Sequence, residues 1–130
     1  MIAVDTSVVV RVIVKDDDKQ AARARRLLET RSVLLPVSVV LESEWVLRAA
    51  YRLDRQVIAA ALRGFCGLDN VTVSEPEVIA AALDLYEQGL DLADAIHLCL
   101  SRAADGFATF DRKLARLGTK HNLIPPIKEP

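Results

Sequence analysis

Short apolar runs alternating with longer segments of helical periodicity predict an α/β domain with a short central parallel sheet of four to five strands, flanked by six or seven helices. The runs are continuously apolar, as expected of strands buried on both faces of a parallel sheet. The chain has 130 residues, 52% of them hydrophobic and 27% charged. That supplies the core of one domain, residues 1–130, and excludes a disordered chain.

The first strand is Ile2-Ala3-Val4, ending at Asp5, and Thr6-Ser7 can cap a helix over residues 8–14. Asp16-Asp17-Asp18 reads as a solvated turn and cap. A helix over residues 19–30 turns Ala21, Ala22, Leu27 and Leu28 inward and Arg23, Arg25, Arg26 and Glu29 outward. Residues 32–36 form a second strand, with Pro36 at its end. Helices follow over residues 37–51 and 53–65, the latter capped by Asp54. Residues 70–73 form a strand, and Ser74 caps the next helix with Pro76 in its first turn. That helix runs to about Gln88, with Gly89 as its stop. Asp91 opens a nearly wholly apolar helix to about Ala104. A turn at Asp105-Gly106 leads to a strand over residues 107–110, then to Asp111 and a short helix. The tail, residues 122–130, offers at most one short strand before Pro125-Pro126.

No apolar run approaches the roughly 18 residues of a membrane span, and the first residues lack the pattern of a secretory signal. Cys66 and Cys99 read as small buried residues of a reducing compartment, and with His97 and His121 they do not make a structural zinc site. Net charge is -1, without the basic excess usual in a nucleic-acid binder. With four acids withdrawn into a metal site, however, 17 Lys and Arg outnumber the remaining acids, and most of these bases are Arg, the residue suited to bidentate phosphate contacts.

Four carboxylates lie beside strongly apolar residues: Asp5, Glu42, Asp94 and Asp111. A buried, unpaired carboxylate neutralises, pairs or binds a cation. Asp5 and Asp111 each end a strand, and ligands of parallel α/β sheets gather beyond those ends; helix capping is the competing reading for each. Glu42 interrupts an apolar stripe of Val39, Trp45, Val46 and Ala49, so it is expected to point inward. Glu44 is expected outward, paired with Arg48 four residues on. Asp94 stands three residues after Asp91, which a capping box also explains. With His97 and Ser101 it draws one polar line along an apolar helix, as beside a wet pocket. Oxygen donors with few nitrogens or sulfurs favour Mg²⁺ or Mn²⁺, and helix N-termini nearby favour phosphate.

With these residues placed, the chain resembles a PIN domain, specifically the VapC-like toxin ribonucleases of bacterial and archaeal toxin–antitoxin pairs. The resemblance rests on Ile2-Ala3-Val4-Asp5-Thr6-Ser7, on Leu41-Glu42-Ser43-Glu44-Trp45-Val46-Leu47, on Leu92-Ala93-Asp94-Ala95-Ile96-His97 and on Ala108-Thr109-Phe110-Asp111. It covers essentially the whole chain. It implies a cytoplasmic, metal-dependent endoribonuclease with Asp5, Glu42, Asp94 and Asp111 as metal-binding acids. Thr6, Ser7 and Thr109 become auxiliary hydroxyls, Asp91 an outer acid and Arg112 a substrate contact. Some relatives carry a further acid just after the position of Asp111, where this chain has Arg112 and Lys113, so the metal count stays open. An RNA substrate, a homodimer and a small antitoxin are further implications. Two rivals remain: a non-catalytic RNA- or partner-binding module, and an aspartate-based phosphotransfer domain. The second lacks an acid two places after Asp5, where Ser7 stands.

Overall fold

Alternation of short apolar runs with amphipathic segments yields seven helices and five strands in a computed structural model that describes all 130 residues. The chain forms two compact units, Met1–Pro76 and Glu77–Pro130.

In the first unit the order is β1 (Ile2–Ala3), α1 (Thr6–Val14), α2 (Asp18–Thr30), β2 (Val33–Leu35), α3 (Val37–Ala49), α4 (Arg55–Cys66) and β3 (Val71–Val73). The strands form one parallel sheet in the order β1-β2-β3, with Ala3 beside Leu34 and Leu34 beside Thr72. Side chains alternate between the two faces of a strand. Val33, Leu35 and Val73 are buried, whereas Ala3 and Thr72 are exposed and Leu34 half-buried. The sheet is thus covered well on one face only, not on both as its apolar strands predict.

Each helix of this unit buries a stripe at helical spacing. It is Val9 and Val10 in α1, Ala21, Ala24 and Leu28 in α2, Val40, Ser43, Glu44 and Leu47 in α3, and Ile58, Ala59, Leu62 and Phe65 in α4. Ala22, expected inward, is exposed, because the stripe of α2 runs through Ala24 instead. Asp17 caps α2 by accepting the Gln20 amide at 3.0 Å. Asp54 occupies the cap position of α4 but makes no side-chain capping bond. The cap position of α3 is Pro36, which has no polar side chain. Ser74, expected to cap the helix after it, accepts the Val37 amide at 3.0 Å and so serves the start of α3.

The second unit holds α5 (Pro76–Glu87, which begins at the boundary), α6 (Leu92–Leu100), β4 (Phe107–Ala108), α7 (Arg112–His121) and β5 (Ile127–Lys128). Gly89, at φ 113°, ends α5. Its amide bonds the Tyr86 carbonyl and that of Leu90 bonds the Leu85 carbonyl, the pairing of a glycine-terminated helix. β4 and β5 pair in parallel, Phe107 beside Ile127. The tail strand therefore follows Pro125-Pro126 and does not precede them as expected. Proline has no amide to donate, and Pro126 joins the ladder through its carbonyl, which accepts the Phe107 amide at 2.9 Å. Hence the five strands form ladders of three and two, not one sheet of four to five.

Candidate functional site

Asp5 leaves β1 in extended conformation and caps α1. Its Oδ1 accepts the Ser7 amide at 3.0 Å and the Ser7 hydroxyl at 2.5 Å. The Ser7 hydroxyl, foremost, holds the Asp5 carboxyl below its ordinary pKa, so it is ionised at neutral pH and exposed to solvent. Capping and ligation are compatible here. One oxygen serves the helix, while Oδ2 carries no hydrogen bond.

Thr6, on the first turn of α1, is buried at 8% exposure. Its hydroxyl donates to Oε1 of Glu42, tying α1 to α3. Glu42 itself is exposed, and Glu44 is the buried acid at 2%. This reverses the expected orientation. The buried stripe of α3 runs through Val40, Ser43, Glu44 and Leu47, while Trp45 stands 58% exposed, so the apolar stripe read through Trp45 is not the packing face. Glu44 tolerates burial because Arg48 donates to its Oε2 at 2.9 Å; an aliphatic stem reaching out to a solvated guanidinium keeps the pair partly wet.

In the second unit Asp111 caps α7. Its Oδ1 accepts the Lys113 amide at 2.9 Å and the Leu114 amide at 3.1 Å. The Thr109 hydroxyl oxygen accepts the Asp111 amide at 3.0 Å, which fixes the backbone presenting that acid. Asp91 sits at the cap position of α6 without a side-chain capping bond. Asp94, half-buried in the first turn, has its carboxyl raised in pKa by burial first, then by the negative charges of Asp91 and Asp111, with His97 opposing. Like charges crowd Asp94, which is what a cation would relieve. His97 is exposed and Ser101 half-buried, consistent with a polar line on an accessible face. Arg112 and Lys113, on the first turn of α7, are exposed, and Phe110 stands 82% exposed beside Asp111.

Each unit thus couples its candidate acids to neighbouring groups: Ser7 to Asp5, Thr6 to Glu42, Thr109 to Asp111, and Asp91 and Asp111 to Asp94. No three or more His, Cys, Asp or Glu side chains stand in a group that could by itself hold a metal ion. The donors are all oxygen, and that chemistry fits Mg²⁺ or Mn²⁺.

One polar cluster has no counterpart in the sequence reading. Arg11 donates from Nε to Gln20 at 2.6 Å and from Nη1 to Asp16 at 2.9 Å and to the Tyr51 hydroxyl at 3.2 Å. Tyr51 in turn donates to Asp16 at 2.7 Å. The Tyr51 hydroxyl, first, and then Arg11 hold the Asp16 carboxyl below its ordinary value. The available signal was Arg11 itself, the one charged residue within Val8–Val14.

The PIN-domain family model matches residues 2–120. No curated protein and no solved structure matches the chain.

Proposed function

The chain belongs to the PIN-domain family, whose fold is in general that of a nuclease, and on that premise we propose that it is a Mg²⁺- or Mn²⁺-dependent endoribonuclease, the toxin of a toxin–antitoxin pair. The observation that carries the reading is Asp94, half-buried in the first turn of α6, its carboxyl raised in pKa by burial first and then by the charges of Asp91 and Asp111, which a bound cation would offset. In this proposal residues 1–130 act as one domain.

Asp5, ionised and oriented by Ser7, Glu42, bonded by Thr6, Asp94 and Asp111 are the acids that would bind the metal. A divalent cation held by these acids would supply Lewis-acid chemistry to a scissile phosphodiester and its attacking water. One of these carboxylates would accept the proton of the attacking water. Asp91 adds an outer negative charge, and Arg112 contacts a substrate phosphate. No helix is long and apolar enough to cross a membrane, and both cysteines are free thiols; a cytoplasmic location is part of the proposal. A homodimer and an antitoxin that occludes the acids complete the proposal.

Incubation of the protein with total cellular RNA, with and without Mg²⁺, followed by sequencing of new ends, tests it. New ends are expected only with metal. Asp5→Asn keeps the cap, since Asn and Asp cap almost equally, and should lower cleavage by about a hundredfold or more with an unchanged circular dichroism spectrum. Full cleavage by that variant refutes the assignment of Asp5. RNA binding without cleavage by the wild-type protein, with either metal, identifies a non-catalytic binding module instead.

A further inference from the structure

We propose that the cavity between α1 and α2 is the subsite for the nucleotide beside the scissile phosphate of a single-stranded RNA, with Arg11 and Arg23 receiving its phosphate. The inference deepens the nuclease reading and rests on it. The cavity measures about 410 Å³, within the roughly 300–1,000 Å³ of small-ligand sites. Ser7, Arg11, Gln20 and Arg23 supply its polar walls, and Val8 and Leu27 its apolar surface.

Three observations favour a nucleotide. First, Arg11, Gln20 and Arg23 present donors, the Ser7 hydroxyl being given to Asp5. Gln20 spends its carbonyl oxygen on Arg11 Nε, which leaves its NH₂ group to donate, and no carboxylate lines the cavity. Such a lining matches the acceptor oxygens of a phosphodiester. Second, Arg11 is preorganised. Asp16, Gln20 and Tyr51 fix Nε and Nη1 and leave Nη2 without a partner, so little side-chain entropy is lost when it binds. Arg23 is exposed and pairs with no acid. Third, the cavity adjoins the candidate catalytic acid, since Ser7, which lines it, donates its hydroxyl to Asp5 at 2.5 Å. A base laid on Val8 and Leu27 with its phosphate on the guanidiniums would lead the next phosphate towards Asp5. The apolar surface carries no base-edge code, so the subsite selects unpaired strands above sequence.

The test uses Arg23→Gln, an exposed position whose loss leaves the fold intact, and an unstructured RNA of about ten nucleotides. In the otherwise wild-type protein, KM for this RNA should rise about tenfold with kcat within about twofold, as for a lost phosphate contact. In an Asp5→Asn background, where cleavage is slowed enough to read binding, the slope of log binding constant against log salt should shrink by about 0.7, the value for one phosphate contact to a single strand. Arg23→Lys, which keeps the charge, should restore that slope; a merely structural role would not move it. Wild-type cleavage with KM and salt slope unmoved by Arg23→Gln overturns the subsite and leaves the nuclease reading standing. No wild-type cleavage, with the slope reduced as stated, overturns the nuclease reading and leaves the RNA subsite standing. Loss of binding to an acidic polyglutamate peptide, with RNA binding untouched, also overturns the subsite and gives the cavity to a protein partner.

Discussion

Asp5 and Asp111 each hold a helix start through one oxygen, so at these positions the proposed ligation would fall to the other oxygen. Asp94 is different, since burial and two like charges raise its pKa with no capping bond to offset them. Its folded pKa lies above the unfolded value, so the native state binds more protons than the unfolded one between the two. Stability from this group is therefore fully present below the unfolded pKa and is lost as pH rises through the folded pKa. Asp94→Asn should raise the melting temperature near pH 7 without metal, and the gain should vanish near pH 3, where both carboxyls are protonated. Mg²⁺ should then raise the melting temperature of the wild-type protein more than that of the variant. A melting temperature lowered by Asp94→Asn at neutral pH without metal would contradict this account of the acid.

At the scale of elements, the helix pairs decide where polar groups come to rest. The Thr6–Glu42 bond joins α1 to α3, and the Arg11, Asp16 and Tyr51 cluster joins α1, the turn before α2 and the end of α3. In the second unit α7 approaches β5 so closely that a methyl group on Gly118 would collide with the side chain of Ile127. Gly118 is buried within a helix, where glycine is otherwise unfavourable, so close approach is its reason for being there. Gly118→Ala should destabilise the protein by about 1–3 kcal/mol, the usual cost of overpacking, despite the better helix propensity of alanine. Chemical denaturation measures this, and a stabilised variant would show that β5 shifts freely.

For the whole molecule, the family match across residues 2–120 includes most of both units. We expect one cooperative unfolding transition. The single tryptophan, Trp45, reports on the first unit. Cys99, buried at 7% exposure, reports on the second through thiol labelling in a Cys66→Ser background. Coincident denaturation midpoints from the two probes are expected of a two-state domain. Separated midpoints would mean that the two units fold as independent domains.

The sequence alone determined the α/β class, the order of helices, a cap within Asp16-Asp17-Asp18 and the stop at Gly89, because capping and periodicity are local properties of neighbouring residues; capping at Asp5 and Asp111 is the competing reading there, and the cap expected at Thr6-Ser7 falls to Asp5, one residue earlier. It also determined that Ser7 lies beside Asp5 and Thr109 beside Asp111. The tertiary structure decided what depends on distant packing. Apolar content could not show that the strands divide into ladders of three and two, or that only one face of the first sheet is well covered. Nor could local pattern orient α3. Two candidate stripes one residue apart in phase both carry apolar residues, and only the packing of that helix buries Glu44, exposes Glu42 and still brings Glu42 to Thr6, 36 residues away in the chain. The Arg11 cluster is the same case. Its partners come from a turn and two helix ends, and only the fold makes them neighbours.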